Sequence, residues 1–315
     1  MKRSLRIGIG VDAGGTYTKI VAVTASGRLL REAQLPSRPD LGPARFVDRL
    51  AHTVLRFESE LGARIVGVGL GVAGDVDCDR GRVRFSPNLR SFDGYPLRER
   101  LARRLGRPVQ LENDANMAAF GGYAVELKRK ARNLLTVCMG TGIGGGIVVG
   151  GRLYHGSSDS AGEIGHTRVE PRGRPCNCGG AGCVEAYAGA YGIVKTARQL
   201  IRGRRSLITR LCPDLSALEP RTIALAAAQG DGVAREVWRV TGRYLGRAIA
   251  NAVYLLNPDA VLIAGGVSRA GRLILDPVRE LLAREPFTTP FRVAQTRIAR
   301  TPNLGAVGAG LLALE

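Results

Sequence analysis

Three thiols, Cys176, Cys178 and Cys183, fall within eight residues of a 315-residue chain that has only three other cysteines. This C-x-C-x4-C run admits three chemistries: disulfide pairing, thiol redox cycling, or three sulfur ligands for a metal. A tetrahedral zinc would need a fourth ligand. A second group of residues suits phosphate. In "DAGGT", Asp12 ends an apolar strand, Gly14 and Gly15 let backbone N–H groups approach phosphate oxygens, and Thr16 adds a hydroxyl donor. Asp12 could hold hydrated Mg2+, which often takes a single protein carboxylate, and Lys19 could supply countercharge. "GTGIGGG" repeats the loop with Gly140, Thr141 and Gly142, and Gly265–Gly266 ends the apolar run "AVLIAGG". Either loop alone also suits a plain hairpin turn. Two together, one headed by an aspartate, read as a nucleotide clamp, and no Gly-Lys-Ser/Thr follows to make a P-loop. A third candidate is Asp114 in "NDAN". It is either a general base for a hydroxyl nucleophile or the N-cap of the helix that begins there.

These residues require strands that end in loops and helices that begin beside them. Residues 6–12 read as a strand, followed by strands over 18–24 and 28–33 and an amphipathic helix over 44–62, with Phe46, Leu50, Val54, Phe57 and Leu61 at helical spacing. "RIVGVGL" is a further buried strand, and "NDANMAAFGGYAVELKRK" reads as a helix. The opening pattern then returns: "VDAGGTYTKIVAVTASGRLL" (11–30) is echoed by "VCMGTGIGGGIVVGGRLY" (137–154), each a strand, a Gly-Thr pair, a strand, a glycine turn and Gly-Arg-Leu. This self-similarity indicates a duplicated α/β fold, although two unrelated hairpins would also share glycine turns. A long apolar stripe from Val233 to Leu256 is stopped by Asn257-Pro258. No linker separates the halves, and the boundary is expected near Glu112.

Composition bounds the function. The 45% hydrophobic content fits a folded enzyme. No apolar run reaches the eighteen or so residues of a membrane span, and Arg6 and Asp12 interrupt the first apolar stretch too early for a signal peptide. A cytoplasmic location is expected, where thiols stay reduced, which weakens the disulfide reading. The net charge of +19 could mark a nucleic-acid footprint. The basic residues are dispersed, however, and no recognition motif accompanies them, so a solvated surface that attracts anionic substrates is the expectation.

"DAGGTYTK", "ENDANMAAFGG", "GTGIGGGIVVGGRLYHGSSDSAGEIGH" and "CNCGGAGCVEAY" together resemble the ROK family of sugar kinases and repressors, and within it the bacterial glucokinases, from Ile7 to the C-terminal "GAVGAGLLAL". The resemblance implies an actin-like, hexokinase-type (ribonuclease H-like) α/β fold with two domains around an active-site cleft. The expected domains are residues 1–112, completed by a C-terminal helix over 302–315, and 113–301. It implies a kinase that uses ATP and Mg2+ to phosphorylate the 6-hydroxyl of glucose, with Asp114 as base. Asn88, Asn113, Asp114, Glu163, His166 and Glu185 would hold the sugar hydroxyls. His166 is the family's fourth ligand beside Cys176, Cys178 and Cys183, which implies a closed, structural Zn2+ site. A homo-oligomer, dimer or tetramer, is expected. Ala73, Gly122 and Gly189 depart from the family pattern, and Gly189 bears on sugar specificity. The alternatives are a kinase for N-acetylmannosamine, N-acetylglucosamine, mannose or fructose, a polyphosphate-dependent glucokinase, or a sugar-responsive repressor. The repressor is disfavoured because only a few residues precede the first strand.

Overall fold

The computed structural model describes residues 6–315. The stretch 1–5, read above against a signal peptide, lies outside the described residues. Contacts divide the chain into two units: one runs up to Arg132 and includes Gly146–Gly162 and Arg300–Glu315, and the other holds Asn133–Gly145 and Glu163–Ala299.

The first unit opens with the antiparallel hairpin β1 (Ile7–Ala13) and β2 (Tyr17–Thr24), closed by Gly14, Gly15 and Thr16. β3 (Leu29–Pro36) extends it at the sheet edge and is half exposed along its length. α1 (Gly42–Leu61) follows, entered through Pro43 and closed by Gly62 in the left-handed region. Its Phe46, Leu50, Val54 and Phe57 are all buried, and each contributes about 1.5–3 kcal/mol by leaving water. β4 (Ile65–Val72) lies parallel to β1. A small hairpin of β5 (Asp75–Asp77) and β6 (Arg82–Phe85) precedes α2 (Leu97–Leu105) and β7 (Val109–Asn113), which pairs parallel with β4. The sheet order is β3-β2-β1-β4-β7. α3 (Asp114–Gly121) leaves the end of β7. It is shorter than the sequence pattern suggests, because Gly122–Glu126 widens into a π turn and Lys128 and Arg129 take left-handed φ of 50° and 57°.

The design then repeats, as the internal echo in the sequence requires. β8 (Leu134–Met139), β9 (Ile143–Val149) and β10 (Arg152–Leu153) form the second meander. After the cysteine loop come α4 (Glu185–Ala188), α5 (Ala190–Leu200), α6 (Leu207–Leu211), α7 (Pro220–Ala228) and α8 (Gly232–Leu256). Asn257 closes α8 in the left-handed region, ahead of Pro258. β11 (Ala260–Ala264), α9 (Arg272–Leu282), α10 (Thr289–Val293), β12 (Gln295–Ile298) and α11 (Leu304–Leu312) complete the chain. The second sheet has order β10-β9-β8-β11-β12, with β8, β11 and β12 parallel. Strand for strand it matches the first, a meander followed by two parallel strands, so the chain is a duplicated α/β fold. Among the described residues no helix is long and apolar enough to cross a membrane.

α11 lies on the first sheet at backbone distance. A Cβ on Gly10 would sit 1.7 Å from the Ala306 carbonyl oxygen. A Cβ on Gly308 would sit 1.9 Å from the Met117 carbonyl oxygen, so α11 is equally close to α3. The boundary expected at Glu112 therefore differs from the observed division: residues 113–132 belong with the first unit because α3 is packed on α11. Gly10→Ala is expected to push α11 off the sheet and cost about 1–3 kcal/mol, the usual penalty for overpacking. Thermal unfolding checks this.

Candidate functional site

Register aligns the chemistry in the first unit. Across β1, β4 and β7, Asp12 is level with Gly71, and Gly71 with Glu112; one step on, Ala13, Val72 and Asn113 are level. Asp12 and Asn113–Asp114 thus lie at the carboxyl ends of parallel strands, where open α/β sheets bind ligands. Lys19 faces Asp12 across the β1–β2 ladder. Burial pushes the Asp12 carboxyl above its usual range and the Lys19 charge pulls it only partly back. The β1–β2 turn is pinned by Ser37, whose N–H donates to the Thr16 carbonyl and whose hydroxyl donates to that of Gly14. Asn88, an expected sugar ligand, lies against the same turn: a Cβ on Gly15 would be 2.9 Å from its Cβ.

The N-cap of α3 is Asn113. Its Oδ1 accepts from the N–H groups of Ala115 (2.8 Å) and Asn116 (3.2 Å), and its Nδ2 donates to the Gly74 carbonyl (3.0 Å). The cap is therefore filled, and Asp114 is the first residue of the helix, with Oδ1 accepting from the Ala115 N–H at 2.9 Å. Of the two readings left open by "NDAN", the capping one belongs to Asn113. That role engages most of the Asn113 amide and leaves it one N–H for a sugar. The N-terminal end of α11 comes to the same place, because the Cβ position of Gly305 lies 3.6 Å from the Asp114 carbonyl oxygen and 3.9 Å from Asp12 Oδ2.

In the second unit the glycine loops follow β8 and β11, which are parallel and in register at Cys138 and Ala264. Gly265 has φ of 92° and a Cβ there would meet the Met139 carbonyl at 2.3 Å, so only glycine permits this approach. Cβ positions on Gly140 and Gly266 meet nothing within 4 Å, which leaves open space beside both loops, and Thr141 is exposed. Glu185 ties the first loop to the cysteines. Its Oε2 accepts from the Ile143 N–H (2.9 Å) and its Oε1 from the Tyr191 hydroxyl (3.3 Å), with Cys176 Sγ at 3.7 Å. It is buried, and its acceptors are largely occupied within the protein. Glu163 and His166 are exposed, with His166 Nε2 3.9 Å from Glu163 Oε2.

The other ring nitrogen, His166 Nδ1, lies 4.0 Å from Cys176 Sγ, and Cys178 and Cys183 Sγ are 3.8 Å apart. The four ligand atoms of His166, Cys176, Cys178 and Cys183 all lie within 4.8 Å of one another. Two sulfurs on one tetrahedral zinc, with bonds of about 2.3 Å, are separated by roughly 3.8 Å. The arrangement fits. Burial and the neighbouring thiols of Cys178 and Cys176 push the Cys183 thiol up to about 12, a crowding that a bound cation would reverse.

A family model described as the ROK family matches residues 8–315. The chain belongs to the ROK family. It is 37% identical over 315 residues to the glucokinase of Streptomyces coelicolor, covering 98% of this chain and 97% of the relative. Its structure is similar to that of a ROK family glucokinase from Streptomyces griseus in complex with glucose and AMPPNP, with 34% identity, a TM-score of 0.84 and coverage of 98% and 99%. It is also similar to the ROK hexokinase of Thermus thermophilus, with 30% identity, a TM-score of 0.80 and coverage of 98% of each chain.

Two of this ROK chain's departures have visible settings. Gly122 is buried at the start of the π turn. A Cβ at Gly189 would sit 2.8 Å from the Glu185 carbonyl oxygen and 3.2 Å from that of Thr141, so a serine there would shift both. Nothing in the structure explains Ala73. Sequence reasoning missed three residues of the first unit: Cys78, Glu112 and His155, whose ligand-type atoms cluster within 4.8 Å. Glu112 immediately precedes the "NDAN" motif, but its partner His155 is 43 positions away, and no sequence pattern joins them.

Proposed function

We infer that this chain is an ATP-dependent glucokinase, a phosphotransferase acting on the 6-hydroxyl of glucose. The observation that carries the reading is Asp114: a carboxylate just past the carboxyl end of β7, at the same end of the sheet as Asp12, in a helix turn whose cap is already supplied by Asn113. As O6 attacks the γ-phosphorus, the O6–P bond forms, the bond to the β-phosphate oxygen breaks, and the O6 proton passes to Asp114. The β1–β2 turn (Gly14, Gly15, Thr16) and the loops at Gly140–Gly142 and Gly265–Gly266 hold the phosphates through backbone N–H groups, with Lys19 adding positive charge. Asp12 would hold Mg2+, which when bound neutralises charge on the transferring phosphate. Asn88, Glu163, His166, Glu185 and the remaining amide N–H of Asn113 take the other sugar hydroxyls. A buried carboxylate such as Glu185 disfavours sugars that lack the matching hydroxyl. His166, Cys176, Cys178 and Cys183 would hold a structural Zn2+.

A coupled assay over a panel of hexoses, with ATP and with polyphosphate as donors, tests this. The highest kcat/KM is expected for glucose with ATP, and absence of turnover with every sugar would sink the reading. Asp12→Ala is expected to abolish nearly all turnover while calorimetry without ATP still shows glucose binding. An equal loss of glucose affinity would mean that Asp12 serves the sugar.

A further inference from the structure

Glu112 is 4% exposed, yet it carries a carboxylate with four donors on it. Oε1 accepts from the Asn113 N–H (2.8 Å), Asn116 Nδ2 (2.9 Å) and Cys78 Sγ (3.3 Å), and Oε2 is 2.6 Å from His155 Nε2. Asn113 is the cap of α3 and Asn116 lies in its first turn, so Glu112 holds the backbone N–H just before Asp114 and the side-chain amide of Asn116 just after it. His155 is itself held in place. Its loop is fastened by Asp159, which accepts from the Cys78 N–H (3.3 Å) and pairs with Arg84 (3.2 Å), while Arg84 also pairs with Asp75 (3.0 Å) and donates to the Ser158 carbonyl (2.9 Å).

We propose that the Glu112–His155 pair is a positioning device for Asp114, locking the first turn of α3 so that the Asp114 carboxylate points in one direction. The proposal rests on Asp114 being the base. A metal does not suit the cluster. Two ligand atoms of one tetrahedral zinc stand roughly 3.3 Å apart, whereas Nε2 and Oε2 are at hydrogen-bond distance, and the other carboxylate oxygen is already occupied. The contact holds a proton.

The electrostatics agree with the geometry. The hydrogen bond His155 donates to Glu112 raises the His155 pKa above its ordinary 6.5, helped by the charges of Glu112, Asp159 and Asp79 and opposed by burial. Burial works to raise Glu112, but the hydrogen bonds from His155, Asn116 and the Asn113 N–H, with the His155 charge, bring it below its ordinary 4.5. Cys78 contributes a neutral thiol, since burial and Glu112 push its pKa up, and Arg84 offsets Asp159. His155 stabilises fully below 6.5 and less as pH rises through its raised value, while Glu112 stabilises fully above 4.5 and less as pH falls through its lowered one. The Tm difference between the wild type and His155→Gln is therefore expected to be largest between pH 4.5 and 6.5 and to shrink on either side. A difference that does not vary with pH would mean that the pair carries no charge.

The kinetic test uses two substitutions. His155→Phe keeps a ring but removes the donor, whereas His155→Gln retains an N–H for Glu112. The His155 side chain is 33% exposed, so neither leaves a closed cavity. Misplacing a reacting group by about 1 Å costs on the order of 10²-fold. His155→Phe is expected to lower kcat by ~10–100-fold with KM for glucose nearly unchanged, and His155→Gln to restore most of it. In an Asp114→Asn background the phenylalanine substitution should have little further effect, because the residue it positions is gone. Wild-type kcat in His155→Phe, with kcat lost in Asp114→Asn, would overturn the positioning role alone. An undiminished His155→Phe effect in the double variant would overturn it as well. A normal kcat in Asp114→Asn by itself would overturn the base assignment and this proposal together. If His155→Phe does not fold, His155→Leu takes its place in the same comparison.

Discussion

Replacing Asp114 with asparagine is expected to lower kcat by about 10²–10⁴-fold, the usual worth of general-base catalysis, while glucose affinity changes far less. Asparagine keeps the size of the side chain and one oxygen for the Ala115 N–H that Asp114 now binds at 2.9 Å. It cannot accept the proton of the attacking hydroxyl. Helix capping offers no competing explanation for a loss, because the cap is the neighbouring Asn113, which satisfies the N–H groups of Ala115 and Asn116. Steady-state kinetics and glucose calorimetry on one preparation make the measurement. Near-normal kcat would remove Asp114 from the chemistry, and a parallel collapse of glucose affinity would make it a binding residue only.

Cys178→Ala is expected to remove the metal, lower the Tm and weaken glucose binding together. Cys178 is the informative cysteine because it is exposed, whereas Cys176 and Cys183 are buried among Ala186 and Tyr187. An exposed residue without special contacts changes stability by only about 0.5 kcal/mol when replaced. A large effect at this position therefore reports a lost ligand and not a lost core contact. The segment between His166 and Glu185 has little regular structure to hold it, only isolated bridges at Arg168–Cys183 and Pro175–Ala181. A four-ligand ion would supply the missing restraint, since binding free energy at such a site is folding free energy. Elemental analysis of protein purified without added metal is expected to give about one zinc per chain, and chelation should reproduce the Cys178→Ala effects. Stoichiometric iron, or full activity and an unchanged Tm without metal, would overturn the zinc reading.

Local information in the chain was enough for several of its elements, among them β1, α1 and α8, and for the repeat. The stripe Phe46, Leu50, Val54 and Phe57 marks a helix because burial requires apolar residues every three or four positions, and all four are buried. The two Gly-Thr hairpins are legible because each is contiguous, and they head sheets of matching strand order. The C-x-C-x4-C run and "NDAN" are contiguous in the same way, so their chemistry can be named from spacing. Contacts between distant segments are not written in any one stretch. That Asn113 caps α3 and leaves Asp114 inside it follows from side-chain directions at the end of β7. That residues 113–132 belong with the first unit follows from the backbone approach of α11 to α3 at Gly308. That the Ile143 N–H and the Tyr191 hydroxyl both donate to Glu185 is likewise decided only by folding. Glu112 and His155 each fall within a quoted motif, but nothing in the sequence pairs them, because a hydrogen bond across 43 positions depends on where two strands and a loop come to rest. The sequence determined which groups could do chemistry, whereas only the tertiary structure decided which of them are engaged by the protein itself, since that depends on directional bonds formed after the chain has folded back on itself.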